Sequence, residues 1–185
     1  MVTVGIDEVG RGSWAGPLVA SAVILRRRIP GLTDSKQLSR RQRERLAEAI
    51  EKQAVAIGIG WVEPAMIDEI GLTKAVGLAM RLALEDISEP YDQVIIDGNH
   101  NYLPDIPGTK AIVKADASIA AVSAASITAK VVRDKYMRDM AIKLPHYGFD
   151  RHVGYGTALH LERLRLHGVS PLHRLSYRPV AALIQ

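Results

Sequence analysis

The sequence contains no cysteine. Disulfides, zinc–thiolate sites and thiol catalysis are therefore excluded, and a reducing compartment fits. No apolar run approaches the roughly 20 residues that span a bilayer. No basic segment followed by an apolar one opens the chain as a secretory signal would. There is no H-E-x-x-H pair for zinc and no G-x-S-x-G for a serine nucleophile. Repeats, low-complexity segments and linkers are also missing. What is left is a soluble, cytoplasmic globular protein with no membrane partner. Its 185 residues suit one domain, residues 1–185, with a sizeable core.

Apolar residues make up 48% and charged residues 24%, which is ordinary for a folded domain. The net charge of +4 mildly favours a polyanionic partner. Arginines cluster at Arg26-Arg27-Arg28 and at Arg40, Arg41, Arg43 and Arg45. Taken singly, each cluster reads as a solvated face.

Patterning predicts strands at Val2–Ile6, Leu18–Leu25 and Val55–Val62, where Gly58 and Gly60 allow close backbone approach. Further strands are predicted at Tyr91–Ile96 and Ala111–Val113. Helices are predicted at Ser39–Lys52, opened by a capping box of Ser39 and Gln42, then at Pro64–Ile70 and Thr73–Ile87. Ala117–Ile142 reads as one long alanine-rich helix packed on a sheet, and Thr157–His167 as a short helix ended by Gly168. The order suggests an α/β layer with a mixed sheet flanked by helices.

The stretch VTVGIDEVGRGSWAGP carries the first chemical signal. Gly10-x-Gly12-x-x-Ala15 matches a dinucleotide fingerprint, but Gly16-Pro17 and a strand follow where a helix is required. A P-loop is absent as well. Asp7 and Glu8 project to opposite faces in a regular strand, so both reach one site only where the strand ends or through water. VIIDG places Asp97 at the end of a second buried run. Parallel neighbours bring such ends together, and carboxylates gathered there need a cation between them. With oxygen ligands only, the cation is hard: Mg²⁺ or Mn²⁺. A fourth acid is available at Asp116 or Asp134. On one helix they are about 27 Å apart, so only one can serve the site. Asp116 also suits a helix N-cap, and Asp134 between Arg133 and Lys135 suits a surface ion pair. Tyr155, flanked by glycines, is either packing or a ring free to stack. Among the histidines, His146 or His152 on a solvated loop could assist proton transfer.

Several blocks occur in a fixed order. They are Gly5-Ile-Asp-Glu-Val-Gly-Arg-Gly12, Ala15-Gly-Pro17, Thr33-Asp-Ser-Lys36, Ile96-Asp-Gly-Asn99 and Lys114-Ala-Asp116. Ala124-Ala-Ser-Ile-Thr-Ala-Lys130, Arg133-Asp134, Gly154-Tyr-Gly-Thr157 and His173-Arg174 follow. The set closely resembles ribonuclease HII, the bacterial type 2 ribonuclease H, from about Val4 to Pro179. The resemblance implies a ribonuclease H-like fold, with about residues 145–185 as a C-terminal segment that helps bind substrate. It implies hydrolysis of the RNA strand of RNA–DNA hybrids. Nicking 5′ of single ribonucleotides in duplex DNA, with 3′-hydroxyl and 5′-phosphate products, is implied too, as is a role in removing them. By motif, Asp7, Glu8, Asp97 and Asp116 would hold two divalent ions. Gly10, Arg11 and Gly12 would read the 2′-hydroxyl, Tyr155 would pack on the junction sugar, and Lys36 would hold phosphate. The expected enzyme is a monomer whose partners are hybrid and ribonucleotide-containing duplexes. Ser13-Trp14 departs from the family pattern of a proline followed by a small or apolar residue. A catalytically inert hybrid-binding module and a ribonuclease HIII-like preference are the competing readings.

Overall fold

A computed structural model describes residues 1–184 and leaves Gln185, the last residue of the tail, outside the described residues. Strand β1 (Thr3–Val9) pairs antiparallel with β2 (Leu18–Leu25) across the glycine turn. Helix α1 (Arg40–Gln53) follows a 3-10 turn at Ser35–Gln37. It begins with the expected capping box, Ser39 and Gln42 each accepting from the other's backbone N–H. Strand β3 (Ala54–Val62) pairs antiparallel with β2. Helices α2 (Pro64–Ile70) and α3 (Leu72–Glu85) then lead to β4 (Gln93–Asp97) and β5 (Thr109–Ile112). The sheet order β3-β2-β1-β4-β5 is mixed, because β4 lies parallel to both β1 and β5.

The remaining elements are helical: α4 (Ala115–Ser118), α5 (Ala120–Lys143), α6 (Phe149–His152), α7 (Ala158–His167) and α8 (Arg178–Ala181). One sheet face buries Val4, Ile6, Leu18, Ala20 and Ile96 against Val76, Ala79, Met80 and Ala83 of α3. The other face buries Val23 against Ile50 of α1 and Ala124, Ala125 and Ile127 of α5. These two apolar layers hold the sheet between helices, and burial of their side chains is the main stabilising term. The run of small residues in α5 permits close approach, since a Cβ on Gly5 would overlap the backbone at Ala121 and Val122. Gly58 and Gly60 serve the same end on the opposite face, where a Cβ on either would overlap a carbonyl of Ala83 or Ala79.

Two sequence-based expectations are corrected. Strand β1 does not stop at Ile6; pairing with β2 continues through Asp7, Glu8 and Val9. Nor is 117–142 one helix. The chain breaks at Ile119, whose backbone is extended (φ −111°, ψ 112°), and α4 precedes the break. The Ser123 hydroxyl donates to the Asp116 carbonyl and also reaches that of Ile119, which already accepts from the Ser123 N–H in the first turn of α5. Asp116 therefore leaves the α5 axis altogether. It is also not an N-cap, because Lys114 takes that position in the left-handed region.

Candidate active site

Alternation along β1 puts Gly5 and Asp7 on the α5 side of the sheet, and Val4, Ile6 and Glu8 on the α3 side. The parallel register pairs Ile6 with Ile96, so the next residues, Asp7 and Asp97, leave the two strands side by side. The Asp116 N–H points back at Asp97 and donates to its Oδ1 at 3.4 Å. One oxygen from each of Asp7, Asp97 and Asp116 lies within 4.8 Å of the other two. Asp7 and Asp116 are buried.

Such a cluster is electrostatically costly without a cation. Burial pushes the Asp7 carboxyl well above its usual range, and the nearby Glu8 and Asp97 add to the rise. Burial also raises Asp116, with Asp97 contributing next. Glu8 is raised by burial and partly relieved by Arg11, whose Nη1 donates to Oε1 at 3.2 Å. Its other oxygen, Oε2, is buried with no partner. Three converging carboxylates and one unpartnered buried carboxylate oxygen suit a hard divalent cation.

These acids open into a cleft of about 290 Å³ that Gly10, Arg11, Gly12, Lys36, Lys130 and Tyr155 also line. Every residue that the family resemblance assigns to the site lines this cleft except Asp116, which stands against Asp97. Glu8 lies outside the tight trio but faces the same space. Gly10 holds a positive φ of 94°, and a side chain there would run into Arg133 and the Pro17 carbonyl. Lys130 Nζ stands 5.4 Å from the centre of the Tyr155 ring.

Two other expectations change. Asp134 is not a surface partner of Arg133 or Lys135; it is largely buried and pairs with Lys130 at 3.0 Å. His152 is buried, its ring engaged by the Tyr147 carbonyl and the Gly154 N–H, and it does not line the cleft. His146 is exposed and also lies away from the cleft.

Sequence reasoning missed Ser35, Ser126 and Lys130 in the cleft, and the buried Arg133 and Arg174 beneath it. Arg133 donates to the carbonyls of Pro17 (2.8 Å), Val153 (2.9 Å) and Ala15 (3.1 Å). Arg174 donates twice to the Gly16 carbonyl and once to that of Arg11. Both guanidiniums thus draw carbonyls of the glycine turn inward. A signal for part of this existed: Ser126, Lys130 and Arg133 recur at helical spacing on one face of α5.

The family model of ribonuclease HII matches residues 4–180. A ribonuclease HII of Bacillus cereus is 49% identical over 183 residues, covering 98% of this chain and 70% of the relative. Ribonuclease H2 from Pyrococcus horikoshii OT3 superposes with a TM-score of 0.83 at 25% identity, over 99% of this chain and 97% of that one. RNase HII from Archaeoglobus fulgidus, solved with PCNA, gives 0.78 at 27% identity over 96% of each. The fold is accordingly ribonuclease H-like. A match that runs through nearly the whole chain shows the family: this protein belongs to the ribonuclease HII family and is a ribonuclease H, a phosphodiester hydrolase acting on the RNA of RNA–DNA hybrids.

Proposed function

We propose that the enzyme cuts RNA–DNA hybrids and also nicks 5′ of a single ribonucleotide in duplex DNA. The products would be a 3′-hydroxyl and a 5′-phosphate, and the role removal of ribonucleotides from DNA in the cytoplasm. The observation that carries this is the meeting of Asp7, Asp97 and Asp116 within 4.8 Å, in a cleft shared with the glycine turn and Tyr155. Asp7, Glu8, Asp97 and Asp116 would hold two divalent ions, Mg²⁺ or Mn²⁺. The chemistry these supply when bound is activation of the attacking water and stabilisation of the departing 3′ oxygen.

The chain's own groups supply the rest. Arg11 offsets negative charge at Glu8 and leaves its guanidinium half-exposed toward an incoming phosphate. Lys36 and Lys130 add positive charge to the same cleft, where phosphate oxygens would pass. The Gly10–Gly12 backbone can approach a single 2′-hydroxyl because no side chain intervenes at Gly10 or Gly12. Tyr155 would pack on the sugar next to the cut. Residues 1–185 would act as one catalytic domain and as a monomer, with the segment from about 145 contributing to substrate binding through Tyr155.

The test is a duplex carrying one ribonucleotide, incubated with Mg²⁺ or Mn²⁺ and, separately, with chelator. Nicking should require the metal, and Asp97→Asn should fall to the level of the chelated control while keeping its circular dichroism. Binding without nicking would instead indicate an inert hybrid-binding module at this substrate.

A further inference from the structure

Three histidines that the chemistry above does not use lie buried together behind the Tyr155 loop. His152, His160 and His173 are 6%, 0% and 2% exposed. Their neighbours are largely aromatic: Phe149 stands 5.8 Å from the rings of His152 and His160 and 5.9 Å from that of His173. Trp14 lies 5.5 Å from His160. Burying an imidazole there is costly unless both nitrogens find partners. Every ring nitrogen of the three does.

The backbone determines which nitrogen carries each proton. His173 Nδ1 accepts from the Ser170 N–H at 2.8 Å, so its hydrogen sits on Nε2. His160 Nδ1 lies 3.0 Å from the Tyr155 carbonyl and must donate to it, which leaves Nε2 bare. The two Nε2 atoms are 3.1 Å apart, and His173 donates to His160. His152 Nδ1 accepts from the Gly154 N–H at 3.2 Å, and its Nε2 donates to the Tyr147 carbonyl at 2.8 Å. The assignments agree with one another only if all three rings are neutral. A proton added to His160 would go to Nε2 and face the His173 N–H at 3.1 Å, and one added to His173 would go to Nδ1 and face the Ser170 N–H at 2.8 Å. Burial also holds both rings near pKa 4.

The two ends of this network meet at one place. His152 holds the N–H of Gly154, the residue before Tyr155, and His160 holds the carbonyl of Tyr155 itself, while the two rings stack at 4.3 Å. From the opposite side, Trp14 N donates to the Gly154 carbonyl at 2.8 Å and the indole covers Gly156. Ser13 and Tyr155 form a β-bridge. The Tyr155 ring is therefore the part of the loop left to face the cleft, and its position relative to the carboxylates depends on how the imidazoles grip its backbone.

We propose that His173 and His160 form a neutral imidazole relay that, with His152, sets the Tyr155 ring in the cleft and so positions it for cleavage at an RNA–DNA junction. The cleavage part rests on the junction role proposed above for Tyr155; the positional part does not. The Ser170 N–H, two imidazoles and a carbonyl make a directional chain of donors, from Ser170 to His173 to His160 to the Tyr155 C=O. Such a chain acts as a rigid strut for a residue on a loop.

Paired replacements at His160 separate the strut from mere packing. In His160→Asn the amide nitrogen can take the place of Nδ1 and still donate to Tyr155. In His160→Gln the amide reaches toward His173 and leaves the Tyr155 carbonyl without that donor. Asn, which keeps the last link of the chain and loses the one to His173, should hold the Tyr155 ring signals in NMR and the rate at a lone ribonucleotide closer to those of the unmodified protein than Gln does. Gln should shift those signals and lower kcat/KM by roughly five- to tenfold, the scale of one lost hydrogen bond. Equal effects of Asn and Gln on the ring signals would overturn the proposal. Nitrogen-15 NMR of the unmodified protein is independent of any variant: His160 must carry hydrogen on Nδ1 and His173 on Nε2 at neutral pH, and any other tautomer overturns it. Tyr155→Ala isolates the other premise. If it nicks a lone ribonucleotide as well as the unmodified enzyme, the junction role fails, and the ring shifts alone judge the relay.

Discussion

Asp7, proposed above as a metal ligand, is held in the cleft at the expense of the fold. Its carboxyl is desolvated and faces Glu8 and Asp97, so its folded pKa lies above the ordinary value of 3.8. The native state thus holds a proton more firmly than the unfolded chain does. Stability without metal is accordingly greatest at acid pH as far as this group is concerned, and declines as pH rises through the raised folded pKa. Asp7→Asn removes the buried charge while keeping the shape. It should raise the melting temperature in chelator at neutral pH, by about 2–4 °C for each 1 kcal/mol relieved, while abolishing metal-dependent cleavage. Calorimetry with and without Mg²⁺ checks this, because added metal should stabilise the unmodified protein and not the variant. Glu8 could be recognised from its place beside Asp7, but its unpartnered Oε2 could not, since that depends on how Arg11 folds back onto Oε1.

At the scale of elements, the site depends on two close approaches. Helix α3 lies against β3 so tightly that Gly60 has no room for a Cβ beside the Ala79 carbonyl. Gly60→Ala should cost about 1–3 kcal/mol through forced displacement, measured by denaturant unfolding, although Gly60 lies outside the cleft. Across the sheet, Arg133 ties α5 to the glycine turn through the Ala15 and Pro17 carbonyls and to the Tyr155 loop through that of Val153. A lysine in its place cannot present the same planar fork and should lose about 2–3 kcal/mol for want of charge-assisted hydrogen bonds. The glycines of β3 were legible as places of close approach. The break at Ile119 was not, because alanine-rich sequence on both sides suits helix and only packing on β4 and β1 turns Asp116 off the axis.

For the whole molecule, the buried histidines make acid stability a measurable consequence of the fold. His160 and His173 drop from 6.5 to about 4 on folding, chiefly through burial. Between those values the unfolded chain binds more protons, so their contribution is intact above pH 6.5 and is lost as pH falls toward 4. The slope approaches about 1.4 kcal/mol per pH unit for each ring within that window. Acid groups in the cleft work in the opposite direction, so the comparison is between proteins: in chelator, His160→Asn should lose less melting temperature from about pH 7 to about pH 5 than the unmodified protein. An equal loss would show that His160 does not titrate as its burial requires. Positive charge spread over the cleft and helices also makes substrate binding electrostatic, and it should weaken steeply with added salt.

The sequence by itself determined the mixed α/β order, the ordered family motif blocks and the absence of thiol chemistry. Those follow from local periodicity, capping and ordered residue types, all of which act over short stretches of chain. Only the tertiary structure decided that Asp7, Asp97 and Asp116 share one point and that Glu8 stands beside them from the other face of the sheet. It also resolved Ser13-Trp14, which pairs the glycine turn with the Tyr155 loop. These contacts join segments that lie far apart in the chain. They arise from the parallel register of β1 with β4 and from buried arginines and histidines seeking partners, and neither leaves a period in the sequence.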